Sequence, residues 1–288
     1  MTTDWKVDRV DATLGATVTG PRLADLDDNA FGQLYDLWLR YALLIFPDQH
    51  LTNDEQNTFA RRFGNLEFET AAISNVHRDG SLRPDDGTDD MMKVLHGNME
   101  WHPDSTYLPV QAKGAVFSAE IVPPTGGATG FADMRAAYDA LDEPTRRRVD
   151  RLSAFHSLYR SQPDVGDHDG RGSGYSGYGF FGQDPQLRPL VKVHPETGRR
   201  SLLIGRHAYG VPGLEPDESE RLLAGLLDAA CRPPRTYTHT WTPGEVVVWD
   251  NRCLLHRALT WNMKLPRVMF HTRIAGDPVT EQSKGVTA

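Results

Sequence analysis

The sequence predicts a mainly β fold with helices on its outside, a sandwich or jelly roll occupying residues 1–288 as a single domain. Three observations carry this. Short apolar strands recur along the chain with turn signals between them, the pattern of closed or stacked antiparallel sheets. Only a few segments carry apolar residues at helical spacing. No glycine-rich turn joins a strand to a helix as at a dinucleotide site, and no P-loop is present, which argues against a doubly wound sheet. A length of 288 residues would suit two average domains, but β architectures often run this long as one unit.

The elements follow in order. The first 65 residues read as an α/β start. ATVTG (16–20) has strand composition, and residues 29–42 place Phe31, Leu34, Tyr35, Trp38 and Leu39 on one helical face. LLIFPD is a buried strand stopped by Pro47, and Asn53 is the expected cap of a second short helix. Residues 77–90 are charged and turn-forming, hence loop. Residues 114–122 read as a strand, and 134–152 as one or two helices broken near Pro144. Residues 190–193 and 201–205 form a hairpin, and 216–230 an amphipathic surface helix. TYTHTW, the turn TPGE and VVVWD read as another hairpin, and 267–276 as the last strand. Residues 161–184 hold glycines and aromatics in a stretch long enough to suggest a lid over a bound ligand.

Composition narrows the function classes. Acids outnumber bases 39 to 31, so the net charge of −8 disfavours nucleic acid or an anionic membrane as partner. No apolar run has the length of a transmembrane helix, and the first residues lack the apolar core of a signal peptide. Two cysteines, Cys231 and Cys253, cannot build a disulfide framework or a Cys-rich zinc site. The expected setting is cytoplasmic, the expected partner a small molecule, and homo-oligomerisation stays open.

Eleven histidines are present, and a single histidine is weak evidence for a ligand. His77-Arg78-Asp79 lies in the charged turn and reads as solvated loop. His102-Pro103-Asp104 sits between aromatics, and residues i and i+2 of an extended segment share a face, so both can grip one ion. His256, after the strand VVVWD, is the best third ligand, 152 positions beyond Asp104. Two imidazoles and a carboxylate make the facial triad of non-haem Fe(II) oxygenases, although zinc hydrolases use the same ligand types. Asp104 is followed, with 24 residues between, by Thr129, and His256, with ten between, by Arg267. An Arg fork and a hydroxyl suit a carboxylate anchor. The bland alternative makes Thr129 a turn residue and Arg267 a surface base.

This ordered set resembles the Fe(II)/2-oxoglutarate dioxygenases of the taurine/2,4-dichlorophenoxyacetate dioxygenase family, and most of all its aryloxyalkanoate branch acting on (S)-2-phenoxypropionates. The segments GNMEWHPDSTY, FADMRAAYDALDE, VVVWDNRCLLHRA and KLPRVMFHTRIAG carry the resemblance, which spans almost the whole chain. It implies a double-stranded β-helix (jelly roll, cupin-like) core. It implies Fe(II) on His102, Asp104 and His256, and 2-oxoglutarate and O2 as co-substrates, with Thr129 and Arg267 on the far carboxylate. The reaction implied is hydroxylation at the ether-bearing carbon of an anion such as 2,4-dichlorophenoxyacetate, yielding a phenol, an oxo acid, succinate and CO2. Halogenases of this type lack the carboxylate ligand, so Asp104 points to hydroxylation.

The anionic substrate calls for local positive charge, and Arg273, Lys93 and Arg206 are the candidates, with Arg273 on the same strand face as Arg267. Taurine-type relatives carry a second Arg four residues after the first. Here that position is His271, which argues against a sulfonate. His207 and His271 are expected to make hydrogen bonds rather than bind metal. The same chemistry on a sulfonate, an alkyl sulfate or a natural-product acid is the alternative. A zinc-dependent hydrolase on a cupin-like barrel and a barrel that merely binds a small acid are further ones. The Thr129/Arg267 pair favours the dioxygenase, since a hydrolase needs no dicarboxylate anchor.

Overall fold

The computed structural model describes residues 5–158 and 184–284, so the expected lid at 161–184 lies, but for Asp184, outside the described residues. The chain opens with β1 (Lys6–Arg9) and β2 (Ala16–Thr19), then α1 (Asp28–Tyr41), β3 (Leu43–Phe46), α2 (Asn53–Arg61) and β4 (Leu66–Ser74). It continues through α3 (Asp90–Gly97), β5 (Gly114–Ile121), β6 (Thr129–Asp133), α4 (Met134–Asp139), α5 (Glu143–Val149) and β7 (Ser153–His156). Next come β8 (Gln186–Pro189), β9 (Val191–Val193), β10 (Arg200–Leu202), β11 (Ala208–Tyr209) and α6 (Pro216–Ala230). The last elements are β12 (Thr236–His239), β13 (Val246–Asp250), β14 (Leu254–Ala258), β15 (Val268–Ile274) and α7 (Pro278–Glu281).

Local chemistry sets the helix bounds. Asp27 caps α1 by accepting from the Ala30 N–H, and Ala42 closes it in a left-handed conformation. The cap of α2 is Thr52, one residue before the expected Asn53. Thr52 and Glu55 bond each other's backbone reciprocally, and this capping box outweighs Asn53. The predicted break near Pro144 is present: Asp142 caps α5, and the proline sits in its first turn where no N–H is needed.

Two sheets face each other. The larger has the order β1-β2-β3-β13-β5-β15-β4, and the smaller β12-β6-β14. They remain open rather than closing into a continuous barrel. β13 explains why the centre reads as an unbroken apolar run. Val247 and Trp249 point between the sheets with Phe117 and Phe131, while Val246 and Val248 pack under Trp38 of α1 and Phe59 of α2.

One expected hairpin is absent. β12 pairs with β6, whereas β13 pairs with β3 and β5, so the TPGE turn carries the chain from the small sheet to the large one. A tight turn between two strand-like segments looks the same in either case. The hairpin of residues 190–193 and 201–205 is present as β9 and β10, with Arg200 opposite Val193. β4, α3 and β6 are additions to the sequence reading. β4 has no clean alternation because it is an edge strand whose register slips twice against β15.

Candidate active site

The segment 101–104 docks on the edge of β14. His102 and His256 exchange backbone hydrogen bonds of 3.0 and 2.9 Å, which sets the two imidazoles side by side at 4.3 Å between ring centres. His256 is therefore inside a strand of the small sheet, not in a tail after β13. Asp104 begins a turn rather than continuing a strand. Asn251 clamps it, its side chain accepting from the Asp104 N–H at 2.7 Å and donating to the Asp104 carbonyl at 2.9 Å. The ligand atoms of His102, Asp104 and His256 all lie within 4.8 Å of one another, as one ion requires.

Their hydrogen bonding fits a metal. His102 Nδ1 lies 2.7 Å from the Glu100 carbonyl, to which only a protonated Nδ1 can donate, leaving Nε2 as a lone-pair donor. Asp104 Oδ2 is buried with no hydrogen-bond partner among the described residues, and it lies 3.8 Å from His256 Nε2. Burial pushes the His102 imidazole well below its usual range and that of His256 to about 4, so both are neutral, the ligating form. Burial alone would raise Asp104; the guanidinium of Arg273 holds it below the usual range.

A cavity lined by both sheets opens at these residues, and Thr129, Arg267, Arg206, His271 and Arg273 share its wall. Arg267 is 2% exposed and stacks over Trp261 at 5.1 Å. Its Nε donates to the Gly127 carbonyl at 3.1 Å, and no acid among the described residues pairs with it. Burial lowers it to about 10, so it remains a cation at neutral pH. Thr129 Oγ1 accepts from Trp241 Nε1 at 2.9 Å, which turns its own proton elsewhere.

The candidate cations divide. Arg273 is bound to Asp104 and Glu67, at 2.9 and 3.3 Å. Arg206 lines the cavity and donates to His207 Nε2 at 3.4 Å. Lys93 pairs with Asp90 on α3 at 3.2 Å and is not among the cavity residues. His271 Nε2 has no hydrogen-bond partner among the described residues and stands 3.6 Å from Asp104 Oδ2, and the ring stacks on Trp249. Asp79 lies in an exposed turn and His77, half-buried, just before it, in loop as expected.

Sequence reasoning missed Glu67, Trp241 and Asn251. It also missed a second cluster, His194, Asp250 and Cys253. There both Asp250 oxygens are taken by the Arg252 fork at 2.8 and 2.7 Å, and His194 adds a third contact at 2.9 Å. That cluster braces the turn between β13 and β14 that delivers His256.

Residues 6–273 match the model of the family described as taurine catabolism dioxygenase TauD, TfdA family. The chain is 65% identical over 273 residues to the (S)-phenoxypropionate/alpha-ketoglutarate-dioxygenase of Sphingobium herbicidovorans, covering 94% of this chain and 95% of that one. It is 60% identical to the protein of the same name from Delftia acidovorans, covering 98% of each. The crystal structure of AAD-2 with Mn(II) and N-oxalylglycine superimposes with a TM-score of 0.87 at 33% identity, over 99% of both chains. A jelly-roll core with a His-Asp-His centre, beside a buried arginine that no acid among the described residues pairs with, defines a metal- and 2-oxoglutarate-dependent dioxygenase. The chain belongs to the TauD, TfdA family.

Proposed function

We propose that this enzyme hydroxylates an aryloxyalkanoate of the (S)-2-phenoxypropionate type with 2-oxoglutarate as co-substrate. The observation that carries the reading is Arg267, a buried cation that no acid among the described residues pairs with, opening on the same cavity as His102, Asp104 and His256. The relatives at 65% and 60% identity support the substrate class.

His102, Asp104 and His256 would hold Fe(II). When bound, the iron and 2-oxoglutarate supply the oxidising chemistry, in which O2 is consumed and succinate and CO2 are released. Arg267 donates to the far carboxylate of 2-oxoglutarate, and Thr129, already accepting from Trp241, directs its proton to the same group. Arg206, on the cavity wall beside His207, holds the substrate carboxylate. Ile73, Leu95, Phe117 and Trp249 form the apolar wall for an aryl group. Hydroxylation at the ether-bearing carbon gives a hemiketal that collapses to a phenol and an oxo acid. No helix among the described residues is long and apolar enough to cross a membrane. The free thiols Cys231 and Cys253 suit a reducing compartment such as the cytoplasm.

The test is succinate and phenol release from the two enantiomers of 2-phenoxypropionate with Fe(II) and 2-oxoglutarate. The S form should release both in equal amounts and faster than the R form. Succinate release that neither enantiomer stimulates would refute the substrate. Asp104→Ala should abolish coupled turnover while the protein stays folded; full activity in that variant would refute the metal assignment.

A further inference from the structure

Arg273 does not face the cavity alone. Its Nη2 donates to Asp104 Oδ1 at 2.9 Å, and its Nη1 donates to Ser105 Oγ at 3.0 Å and to Glu67 Oε1 at 3.3 Å. Ser105 Oγ in turn donates to Glu67 Oε1 at 2.8 Å. Phe68 lies beneath the guanidinium at 4.7 Å. Ser105 follows Asp104 directly, is fully buried, and has φ +56°, a left-handed conformation that a non-glycine residue holds only when its surroundings impose it. The strand opposite is built for this contact. Partners across β15 and β4 run His271–Ala71, Arg273–Phe68 and Ile274–Leu66, so β4 slips twice at this point. Such bulges re-aim side chains, and here consecutive residues Glu67 and Phe68 both meet Arg273.

We propose that Glu67, Ser105 and Arg273 form a positioning unit that sets the carboxylate of Asp104 for the metal, so that Arg273 is not the anchor of the substrate carboxylate. The inference rests on the reading of His102, Asp104 and His256 as the metal ligands. Asn251 fixes only the backbone of Asp104, and without a further contact the carboxylate could rotate. Arg273 takes Oδ1, which leaves Oδ2, without a hydrogen-bond partner among the described residues, facing the imidazole of His256. Glu67 and Ser105 hold the guanidinium from behind. A substrate carboxylate could bind Arg273 in this way only by competing with two acids already in contact with it.

Mn(II) binding to the metal-free protein, with neither 2-oxoglutarate nor substrate present, separates a positioning role from a substrate anchor. Arg273→Met should weaken Mn(II) binding by about 10-fold or more, the usual cost of losing a group that orients a metal ligand. Glu67→Gln should shift it in the same direction by a smaller factor, although Glu67 is not part of the cavity wall. Arg273→Lys should fall between Arg273→Met and the parent. The visible absorption of the Co(II)-loaded Glu67→Gln protein should also differ from that of the parent. Arg206→Met should leave Mn(II) affinity unchanged and raise the substrate KM. If Arg273→Met does not fold, Glu67→Gln and its Co(II) spectrum decide. Parental Mn(II) affinity in both Arg273→Met and Glu67→Gln, with only the substrate KM raised in Arg273→Met, would overturn the inference. A parent protein that binds no Mn(II) would instead overturn the metal reading, and this inference with it.

Discussion

Arg267, just before the last strand, and Arg273, near its end, stand six residues apart, both buried and both on the cavity wall. Their surroundings are opposite. Arg273 meets two carboxylates and a hydroxyl supplied by the fold. Arg267 meets a carbonyl and an indole face, and no acid among the described residues. A buried charge without a counter-charge is costly, so a fold that keeps one gains most when a ligand supplies the missing carboxylate. In the proposed reading, a cation the fold has already paired positions other groups, and a cavity cation with no acid among the described residues takes the co-substrate carboxylate.

The sharpest break would come at Arg267. Arg267→Ala should raise the 2-oxoglutarate KM or Kd by ~10- to 100-fold, the worth of a hydrogen bond to a charged group. Mn(II) affinity in the absence of 2-oxoglutarate should stay at the parental value. Calorimetric titration of the Mn(II)-loaded variant with 2-oxoglutarate measures both. Unchanged 2-oxoglutarate affinity would mean that the unpaired cation is not the anchor.

A smaller effect is expected one step back. Trp241→Phe removes the indole N–H that Thr129 accepts, so the hydroxyl proton loses its fixed direction. The 2-oxoglutarate KM should rise by roughly 3- to 10-fold, the worth of one neutral hydrogen bond. Thr129→Val should do the same, and the double variant should add little, because both changes break one linkage. Additive losses in that cycle would show that Trp241 acts by packing alone.

The comparison also explains what the sequence could and could not reveal. His102, Asp104, His256, Thr129 and Arg267 are residue types with few uses in apolar surroundings, and their spacing is legible in the sequence. Arg273 was visible as a base on the right strand face, but its partners were not. Glu67 reaches it only because β4 slips register twice, and slips leave no mark in the pattern of a half-exposed edge strand. Asn251 acts on Asp104 across 147 positions, and Trp241 on Thr129 across 112. Such contacts depend on which strands pair. The expected hairpin at TPGE failed for the same reason: a short turn between strands is compatible with pairing or with a change of sheet, and only the assembled core decides. The core itself was more legible, since β13, buried on both faces, must read as VVVW.

The smallest effect tests whether lack of a partner, by itself, marks a functional group. His156 on β7 is fully buried, and neither ring nitrogen has a partner among the described residues, yet it is not part of the cavity wall. It should be a pure cost. Burial, aided by Arg188, lowers its pKa to about 3, while an unfolded imidazole titrates near 6.5. Between those values the unfolded chain binds a proton that the folded one refuses, so stability falls as the pH drops through 6.5 and keeps falling toward 3. At pH 5 this one group removes about 2 kcal/mol, a Tm loss of several degrees for a chain of this size. His156→Leu, close in volume, should therefore melt at or above the parent at pH 7 and clearly above it at pH 5, with 2-oxoglutarate and Mn(II) affinities unchanged. His194, buried but bonded to Asp250, is the control, because His194→Leu removes one of the contacts that hold the buried Asp250 carboxylate and should lower the Tm. Melting curves for His156→Leu that run parallel to the parent from pH 7 to pH 5 would show that the imidazole is not held neutral. A loss of 2-oxoglutarate affinity would show that isolation from the cavity does not exempt an unpaired group from the site.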